Sequence, residues 1–181
     1  MITKKKLEIV DVCLLNLDTF NDERGSFSVT YTDEINKVLG INTNWIQENE
    51  SLSHKNVFRG LHFQKKPYSQ SKLIRVSNGR ILDILVDLRK NSKTFKKCIS
   101  IVLDSRCDVL FVPQGIAHGF LSLENNTIVN YKCDNLYNPK SESGLNPFKS
   151  NMDINWNINE KTLIMSNKDD KLPHLNESYS F

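Results

Sequence analysis

Two histidines stand in apolar runs, His62 in FRGLHFQ and His118 in GIAHGF. An imidazole titrates near neutral pH and can both accept and return a proton. Other polar side chains also stand out from their surroundings: Lys72, Tyr131 and the pair Asp169-Asp170. A base, a carboxylate that orients it, a cation and a phenol are the groups that move protons beside a carbonyl. Taken singly, a histidine in such a strand is more often a hydrogen-bonded core residue, so the residues alone leave both interpretations open.

Apolar residues recur with a period of two far more often than with a period of 3.6, which predicts strands. The stretches that alternate in this way are SFSVTY, NWIQENES, FRGLHFQ, CISIVL, DVLFVP and TIVNYKC. In FRGLHFQ, strict alternation places His62 on the same face as Phe58 and opposite Arg59. Helix is predicted only for Asp33 to Leu39 and in the tail. Many short strands at this spacing indicate an all-β antiparallel sandwich or jelly roll with short peripheral helices.

A hairpin is predicted for KLIRVSNGRILDILVDL, because Asn78-Gly79 favours a two-residue turn of type I′. The register that this turn sets pairs Ile74 with Asp83. One face of the hairpin then carries Lys72, Ile74, Val76, Ile81, Asp83 and Leu85. Its two polar members, Lys72 and Asp83, stand diagonally about 7–8 Å apart. A buried pair of opposite charge is costly, so it is either an ion pair at a sheet margin or a polar site inside a barrel.

Composition excludes several classes of function. The 181 residues fit one domain with a sizeable core, and the net charge of +3 is spread along the chain, so nucleic-acid binding is not indicated. No apolar run reaches the roughly 18 residues of a membrane span, so we expect a cytoplasmic protein. The cysteines form no metal-binding or disulfide pattern, which indicates reduced, mostly buried thiols. They are Cys13, Cys98, Cys107 and Cys133.

Several runs resemble, in order, the motifs of the nucleotide-sugar 3,5-epimerase family: RGLHFQ, QSKLIRVSNGRILDILVDLRKNSKTF, VPQGIAHGF, YKCDNLY and SNKD. The likeness extends from Asp22 to Pro173, which is nearly the whole chain. It implies an all-β, cupin-type jelly-roll barrel that works as a homodimer, without a metal or another cofactor. It also implies one epimerase domain over residues 1–181, with a barrel core at about 24–156 and a C-terminal tail, 157–181, packed over it.

The resemblance also implies roles for individual residues. His62 corresponds to the base that removes a proton from carbon, and Asp169 to its carboxylate partner. Lys72 corresponds to the cation that stabilises the enolate at the C4 oxygen, and Tyr131 to the acid on the opposite face of the sugar ring. Arg24 corresponds to a residue that meets the diphosphate. The positions that correspond to substrate-binding residues are Arg24, Gln47, Asn49, Arg59, Asp83, His118 and Tyr137.

Two departures from the family pattern bear on the substrate. The family commonly has RGxFxE where this chain has RGSFSV, so Val29 replaces a glutamate that helps to hold the thymidine end. SGLNPF likewise replaces a segment that often carries Trp-Asn-Asp. The resemblance thus implies an epimerase for surface-polysaccharide synthesis that acts at C3, C5 or both. Its substrate is a nucleotide-linked 4-keto sugar, either a dTDP-linked hexose of the dehydrorhamnose type or, given Val29, a GDP-linked heptose.

Two other classes of function stay open. PQGIAH has the spacing of a second cupin metal box, which would suit a metal-dependent isomerase or oxygenase. The first box would need a further histidine where Phe63-Gln64 stands, so one imidazole per box is left as a ligand. The other alternative is a non-catalytic module that binds sugar nucleotides. It is disfavoured because the residues that correspond to the acid, the base, the cation and the carboxylate are all present.

Overall fold

The computed structural model describes residues 2–106, 108–150, 152, 154, 156 and 162–181. The prediction for Cys107 and the start of the tail at residue 157 lie outside these residues. The strands are β1 Thr3–Lys6, β2 Cys13–Asn16, β3 Thr19–Asp22, β4 Gly25–Ser28, β5 Gln47–Ser53, β6 Phe58–Gln64, β7 Lys72–Asn78, β8 Arg80–Asp87, β9 Cys98–Asp104, β10 Asp108–Val112, β11 Ile116–Ser122, β12 Thr127–Cys133 and β13 Glu142–Gly144. The helices are α1 Glu34–Leu39 and α2 Asn167–Asp170, and 3₁₀ turns span Pro147–Lys149 and Leu175–Glu177.

Two antiparallel sheets face each other across a shared core. The six-stranded sheet has the order β1-β2-β10-β7-β12-β5, and the five-stranded sheet has the order β13-β6-β11-β8-β9. From β5 to β8 and again from β9 to β13, successive strands alternate between the sheets, which is the connectivity of a jelly roll. The predicted all-β, cupin-type jelly roll with short peripheral helices is therefore confirmed. Strands β1 and β2, which precede residue 24, belong to the six-stranded sheet.

Strands β7 and β8 do not pair, so the predicted hairpin is wrong. β7 lies between β10 and β12, whereas β8 lies between β11 and β9 in the other sheet. Only Gly79 of the turn has a positive φ, 78°, and Asn78 Nδ2 donates to the carbonyl of Asn126 at 2.7 Å. The turn carries the chain across the barrel because each strand then has a hydrogen-bonded neighbour on both sides. The residues of the turn alone cannot predict this, because the pairing partners of β7 and β8 are distant in the chain.

The face predicted to point inward is nevertheless correct. The core between the two sheets includes Ile74, Val76, Ile81 and Leu85. Alternate side chains of β7 and β8 point into the same interior from facing sheets. The residues predicted to face inward therefore do so, although the two strands do not pair with each other. Lys72 and Asp83 consequently face each other across the barrel, and they do not stand diagonally within one ladder.

Apolar clusters also cover the outer faces of the two sheets. Ile35 of α1 packs with Leu73 and Phe111 on the six-stranded sheet. The C-terminal side chains Leu175 and Phe181 pack on the outer face of the five-stranded sheet. Neither α1 nor any other helix in the described part of the chain is long and apolar enough to cross a membrane.

The alternation predicted for β6 is broken at Gly60. Gly60 has a φ of 124°, and a β-carbon there would lie 2.6 Å from the α-carbon of Gly119. The register with β11 shifts at this point. As a result Phe58 packs in the outer core of the five-stranded sheet, whereas Arg59 bonds to Ser53 of the facing sheet and, with His62, lines a cavity that Phe58 also borders. The prediction that His62 shares a face with Phe58 and opposes Arg59 is wrong, because a β-bulge reverses the alternation.

Candidate active site

The predicted catalytic residues meet at a cavity of about 660 Å³ in the barrel, hereafter the main cavity. It is lined by His62 of β6, Lys72 of β7, His118 of β11, Tyr131 of β12 and Asp169 of α2. A second cavity of about 260 Å³, the side cavity, shares three of these side chains. Five separate elements thus contribute one group each, and the fold brings together residues that are up to 107 positions apart in the chain.

His62 and Asp169 form a hydrogen-bonded pair. Nε2 of His62 lies 2.7 Å from Oδ1 of Asp169, and Oδ2 of Asp169 accepts from the backbone N–H of Gly60 at 3.1 Å. Ser166 caps α2 by accepting from the backbone N–H of Asp169 at 3.1 Å. Burial alone would raise the pKa of Asp169, but the hydrogen bonds from His62 and Gly60 lower it below its ordinary value. The ionised carboxylate can therefore orient the imidazole and stabilise its protonated form.

His118 and Asp83 form a second pair, which is more deeply buried. Nε2 of His118 lies 2.8 Å from Oδ2 of Asp83. Burial raises the pKa of the Asp83 carboxyl and lowers the pKa of the His118 imidazole. Oδ1 of Asp83 has no hydrogen-bond partner among the described residues. Burial acts against charge on both members, so the pair is best described as one unit that shares a proton.

Lys72 presents a buried ammonium group to both cavities. Its Nζ lies 5.8 Å from the ring centroid of Tyr131, and no described residue forms a hydrogen bond with it. Burial lowers the pKa of Lys72, although Cys133, Asp83 and Glu142 act in the opposite direction. A cation without a fixed partner at the cavity wall can stabilise a negative oxygen of a bound ligand.

Tyr131 faces His62 from the opposite sheet. Tyr131 belongs to the six-stranded sheet and His62 to the five-stranded sheet, and both side chains line both cavities. Burial raises the pKa of the Tyr131 phenol, which keeps its proton on the hydroxyl at neutral pH. That hydroxyl has no hydrogen bond with any residue in the described ranges. A protonated phenol and an imidazole thus lie on facing walls of one cavity.

The predicted substrate-binding residues fall into two groups. Arg59 lines the main cavity, and Nε donates to Oγ of Ser53 at 3.0 Å. The side cavity is lined by Gln47, Asn49 and Tyr137. Asp83 lies behind His118 and reaches the site through it.

Arg24 is the predicted site residue that the structure does not bring to either cavity. It stands at the turn between β3 and β4, its side chain is 86% exposed, and it pairs with Asp22 at 2.6 Å. The hairpin of β3 and β4, hereafter the arm, forms a separate two-stranded sheet. Phe20 and Phe27 stand opposite each other on the arm and are 61% and 66% exposed.

Sequence reasoning missed two charged residues at the site. Glu142 of β13 lines the side cavity, and Lys168 of α2 lines the main cavity. Oε1 of Glu142 accepts from Nζ of Lys168 at 2.6 Å, and Oε2 accepts from the hydroxyl of Tyr137 at 2.6 Å. Lys168 adjoins Asp169 in the run SNKD, which could have signalled it. Glu142 stands in a polar turn region without a distinguishing pattern.

The residues that could hold a metal are few. Within the described ranges, no three side chains of His, Cys, Asp or Glu come together as a ligand set. The imidazoles of His62 and His118 are each hydrogen-bonded through Nε2 to a carboxylate.

A jelly-roll barrel with an imidazole and a phenol on facing walls of one cavity is suited to move protons at a carbon beside a carbonyl, which is the chemistry of an isomerase. The sequence profile of dTDP-4-dehydrorhamnose 3,5-epimerase matches residues 6–177. The enzyme of that name from Methanothermobacter thermautotrophicus is 40% identical, over 96% of this chain and 94% of its own length. The chain therefore belongs to the dTDP-4-dehydrorhamnose 3,5-epimerase family, and the resemblance seen in the sequence is confirmed.

Two solved structures agree with this assignment. The epimerase from Bacillus anthracis, solved with TDP and PPi bound, has a TM-score of 0.91 and 38% identity, covering 97% of this chain and 100% of that one. The enzyme from Legionella pneumophila, in complex with dTDP-4-keto-L-rhamnose, has a TM-score of 0.92 and 31% identity, covering 98% and 94%.

Proposed function

We propose that the protein inverts carbons next to the C4 ketone of a dTDP-linked 4-keto-6-deoxy hexose. The observation that carries this proposal is the placement of His62 and Tyr131 on facing walls of one cavity. Removal of a proton from one face of a sugar ring and its return to the other face inverts the configuration at that carbon. The dTDP nucleotide is inferred from the ligands named for the solved relatives.

The proton path follows from the hydrogen bonds. Because Nε2 of His62 is bonded to Asp169, its Nδ1 is the basic atom that removes the proton at C3 or C5. The electron pair of the broken C–H bond moves onto the C4 oxygen, where the ammonium of Lys72 stabilises the enolate. Tyr131 then donates its hydroxyl proton to the same carbon from the opposite wall. The phenolate that remains recovers a proton from solvent, and the imidazolium of His62 releases the abstracted proton to solvent.

The proposal is tested by deuterium exchange in heavy water, followed by NMR, on 4-keto sugars linked to dTDP, GDP and UDP. We expect exchange and inversion with the dTDP-linked hexose, and neither in the His62→Ala variant. Exchange at C3 alone would narrow the activity to a 3-epimerase. Faster exchange with the GDP-linked 4-keto heptose than with the dTDP-linked hexose would support the alternative substrate that Val29 predicts. Absence of exchange with every sugar would contradict an epimerase and favour a binding module.

We also propose that the active unit is a homodimer in which the arm of one copy reaches the site of the other. A two-stranded hairpin is marginally stable alone, and this one exposes Phe20 and Phe27. Strand β5 is an unpaired edge of the six-stranded sheet within the described chain, so it offers a place for the arm to pair. Arg24 at the tip of the arm would then meet the diphosphate in the partner's cavity, as a planar fork suited to phosphate oxygens.

A single epimerase domain over residues 1–181 is part of the same proposal. Asp169, from the predicted tail, supplies the carboxylate to His62 of the barrel, so neither part holds a complete site alone. We further propose a cytoplasmic location, supported by the buried thiols of Cys13 and Cys133, which form no disulfide.

A further inference from the structure

The segment Asn135–Asn138, hereafter the glutamine-held loop, runs beside the side cavity. Most of the bonds to its backbone come from glutamine side chains; the carbonyl of Asn138 also accepts from the backbone N–H groups of Ser141 and Glu142, at 3.0 and 3.1 Å. The four glutamine bonds join Gln70 Nε2 to Asn135 O at 2.7 Å, Gln64 Nε2 to Leu136 O at 3.0 Å, Tyr137 N to Gln47 Oε1 at 2.8 Å and Asn138 N to Gln64 Oε1 at 2.6 Å. One polar backbone group of every loop residue is therefore satisfied by an amide side chain.

The three glutamines come from both sheets. Gln47 begins β5 and Gln70 lies just before β7, and both of these strands belong to the six-stranded sheet; Gln64 ends β6 in the five-stranded sheet. All three line the side cavity. The glutamine-held loop is thus tied to both walls of the barrel.

Both N–H groups of the Gln64 amide are already used within the protein. Gln64 is buried, and besides its two bonds to the loop its Nε2 donates to the carbonyl of Tyr68 at 2.7 Å. Gln47 makes two bonds through its side chain: its Nε2 donates to Oδ1 of Asn49 at 2.8 Å, and its Oε1 accepts from Tyr137. Both amides are therefore oriented by bonds within the protein before any substrate arrives.

The loop presents two apolar side chains beside a polar cavity. Leu136 is 58% exposed and Tyr137 is 51% exposed. The hydroxyl of Tyr137 donates to Glu142, which fixes the far end of the ring while Gln47 fixes its backbone. An exposed aromatic ring held at both ends is suited to stack on a planar nucleobase.

We propose that Gln64 and Gln70 are positioning residues for nucleotide recognition, acting together with Gln47 through the glutamine-held loop. They hold Tyr137 in place before the nucleotide binds, so that binding does not have to order the loop. Gln47 acts on Tyr137 in this way, and its remaining N–H is left for the substrate contact that the resemblance implies. This inference rests on the proposed function, because it assigns the nucleotide to that same site.

The test compares Gln64→Met and Gln70→Met with the wild type. Each removes hydrogen bonds to the loop at nearly unchanged volume. We expect KM for the dTDP-linked sugar and Kd for dTDP to rise about tenfold, with kcat within about twofold, because each lost bond weakens a preformed binding surface. Backbone amide exchange at Asn138 should accelerate in Gln64→Met, since that N–H loses its acceptor.

Gln114→Met is the matched control. Its Nε2 donates to Oδ2 of Asp134, just before the loop, and it lines neither the main nor the side cavity. KM, Kd for dTDP and amide exchange should be unchanged in this variant. Gln70 is only partly buried, so Gln70→Met keeps the test available if Gln64→Met does not fold.

Wild-type KM and Kd in both glutamine variants would overturn the inference, as would a fall in kcat at unchanged KM. The failure of the proposed function looks different. In that case the wild type itself shows no proton exchange with any 4-keto sugar, while the amide protection of Asn138 and its loss in Gln64→Met can still be measured.

Discussion

His62 and His118 show how burial divides two similar side chains between roles. Each imidazole is bonded through Nε2 to a carboxylate, but the side chain of His62 is 30% exposed, whereas that of His118 is 7% exposed. His62 can therefore meet a carbon acid in the cavity, while the more enclosed His118 forms part of its wall. The residues alone identified both histidines as candidates, and only the family resemblance gave them different roles, because exposure depends on strands distant in the chain.

At the residue scale, Asp169→Asn tests the role of the carboxylate. An amide cannot stabilise the imidazolium that His62 becomes, so kcat should fall about 10²- to 10⁴-fold while KM changes little. Asp170→Asn is the control, because this neighbour is exposed and its carboxylate is 3.9 Å from Nζ of Lys149. Steady-state kinetics with both variants decide the matter, and equal effects at the two positions would refute a specific role for Asp169.

Loss of the proton from Lys72 is expected to set the pH above which kcat falls. Burial lowers the pKa of Lys72, so raising the pH through that lowered value removes the positive charge and kcat falls. The raised pKa of Tyr131 keeps the phenol protonated over the same range. In Lys72→Arg the guanidinium stays charged, so the alkaline limb of the pH profile should move to higher pH. An alkaline limb at the same pH in both enzymes would contradict this assignment.

At the element scale, the sequence predicted strand positions well and strand pairing poorly. The strand FRGLHFQ and the helix near Asp33 to Leu39 lie where they were predicted. The Asn78-Gly79 turn was expected to close a hairpin, but it connects the two sheets. The β-bulge at Gly60 was also missed, because its cause is the approach of Gly119 from β11, a contact between residues far apart in sequence.

Gly60→Ala tests that close approach. A β-carbon would lie 2.6 Å from the α-carbon of Gly119, on a residue whose φ is 124°, so the free energy of unfolding should fall by about 3 kcal/mol. Gly25→Ala separates the effect of the close contact from the effect of the positive φ. Gly25 has a similar φ, 123°, but a β-carbon there meets no described atom within 4 Å, so a loss of about 1 kcal/mol is expected. Denaturant unfolding that gives equal losses would rule out the contact as the cause.

At the scale of the whole molecule, the sequence predicted the fold class and most of the site. Period-two alternation was sufficient for an antiparallel sandwich or jelly roll, and the family resemblance added the barrel and most of the site residues. Ten of the eleven predicted site residues lie at or directly behind the two cavities. Arg24 is the exception, and its place on the arm has a physical reason under the proposed homodimer: a residue that serves another copy cannot be located from one chain. Glu142 was missed because its partners, Lys168 and Tyr137, converge only in the folded protein.

Mixing two inactive variants tests the exchange of arms between copies. Arg24→Ala lacks the arm cation and His62→Ala lacks the base, so each homodimer should be impaired. If the subunits are unfolded and refolded together in equal amounts, the mixed dimers contain one complete site, and activity should recover to about a quarter of the wild-type value. Recovery no greater than the sum of the separate variants would contradict a shared site.

The central claim is that an acid and a base act from facing walls of the cavity, and Tyr131→Phe tests it most directly. The measurement is deuterium incorporation into the substrate and the product in heavy water, with the configuration at C3 and C5 read by NMR. The account predicts that the variant still exchanges the C–H proton through His62, returning substrate with retained configuration, while inversion is lost. Inversion at the wild-type rate, or loss of exchange and inversion together in a folded variant, would contradict it.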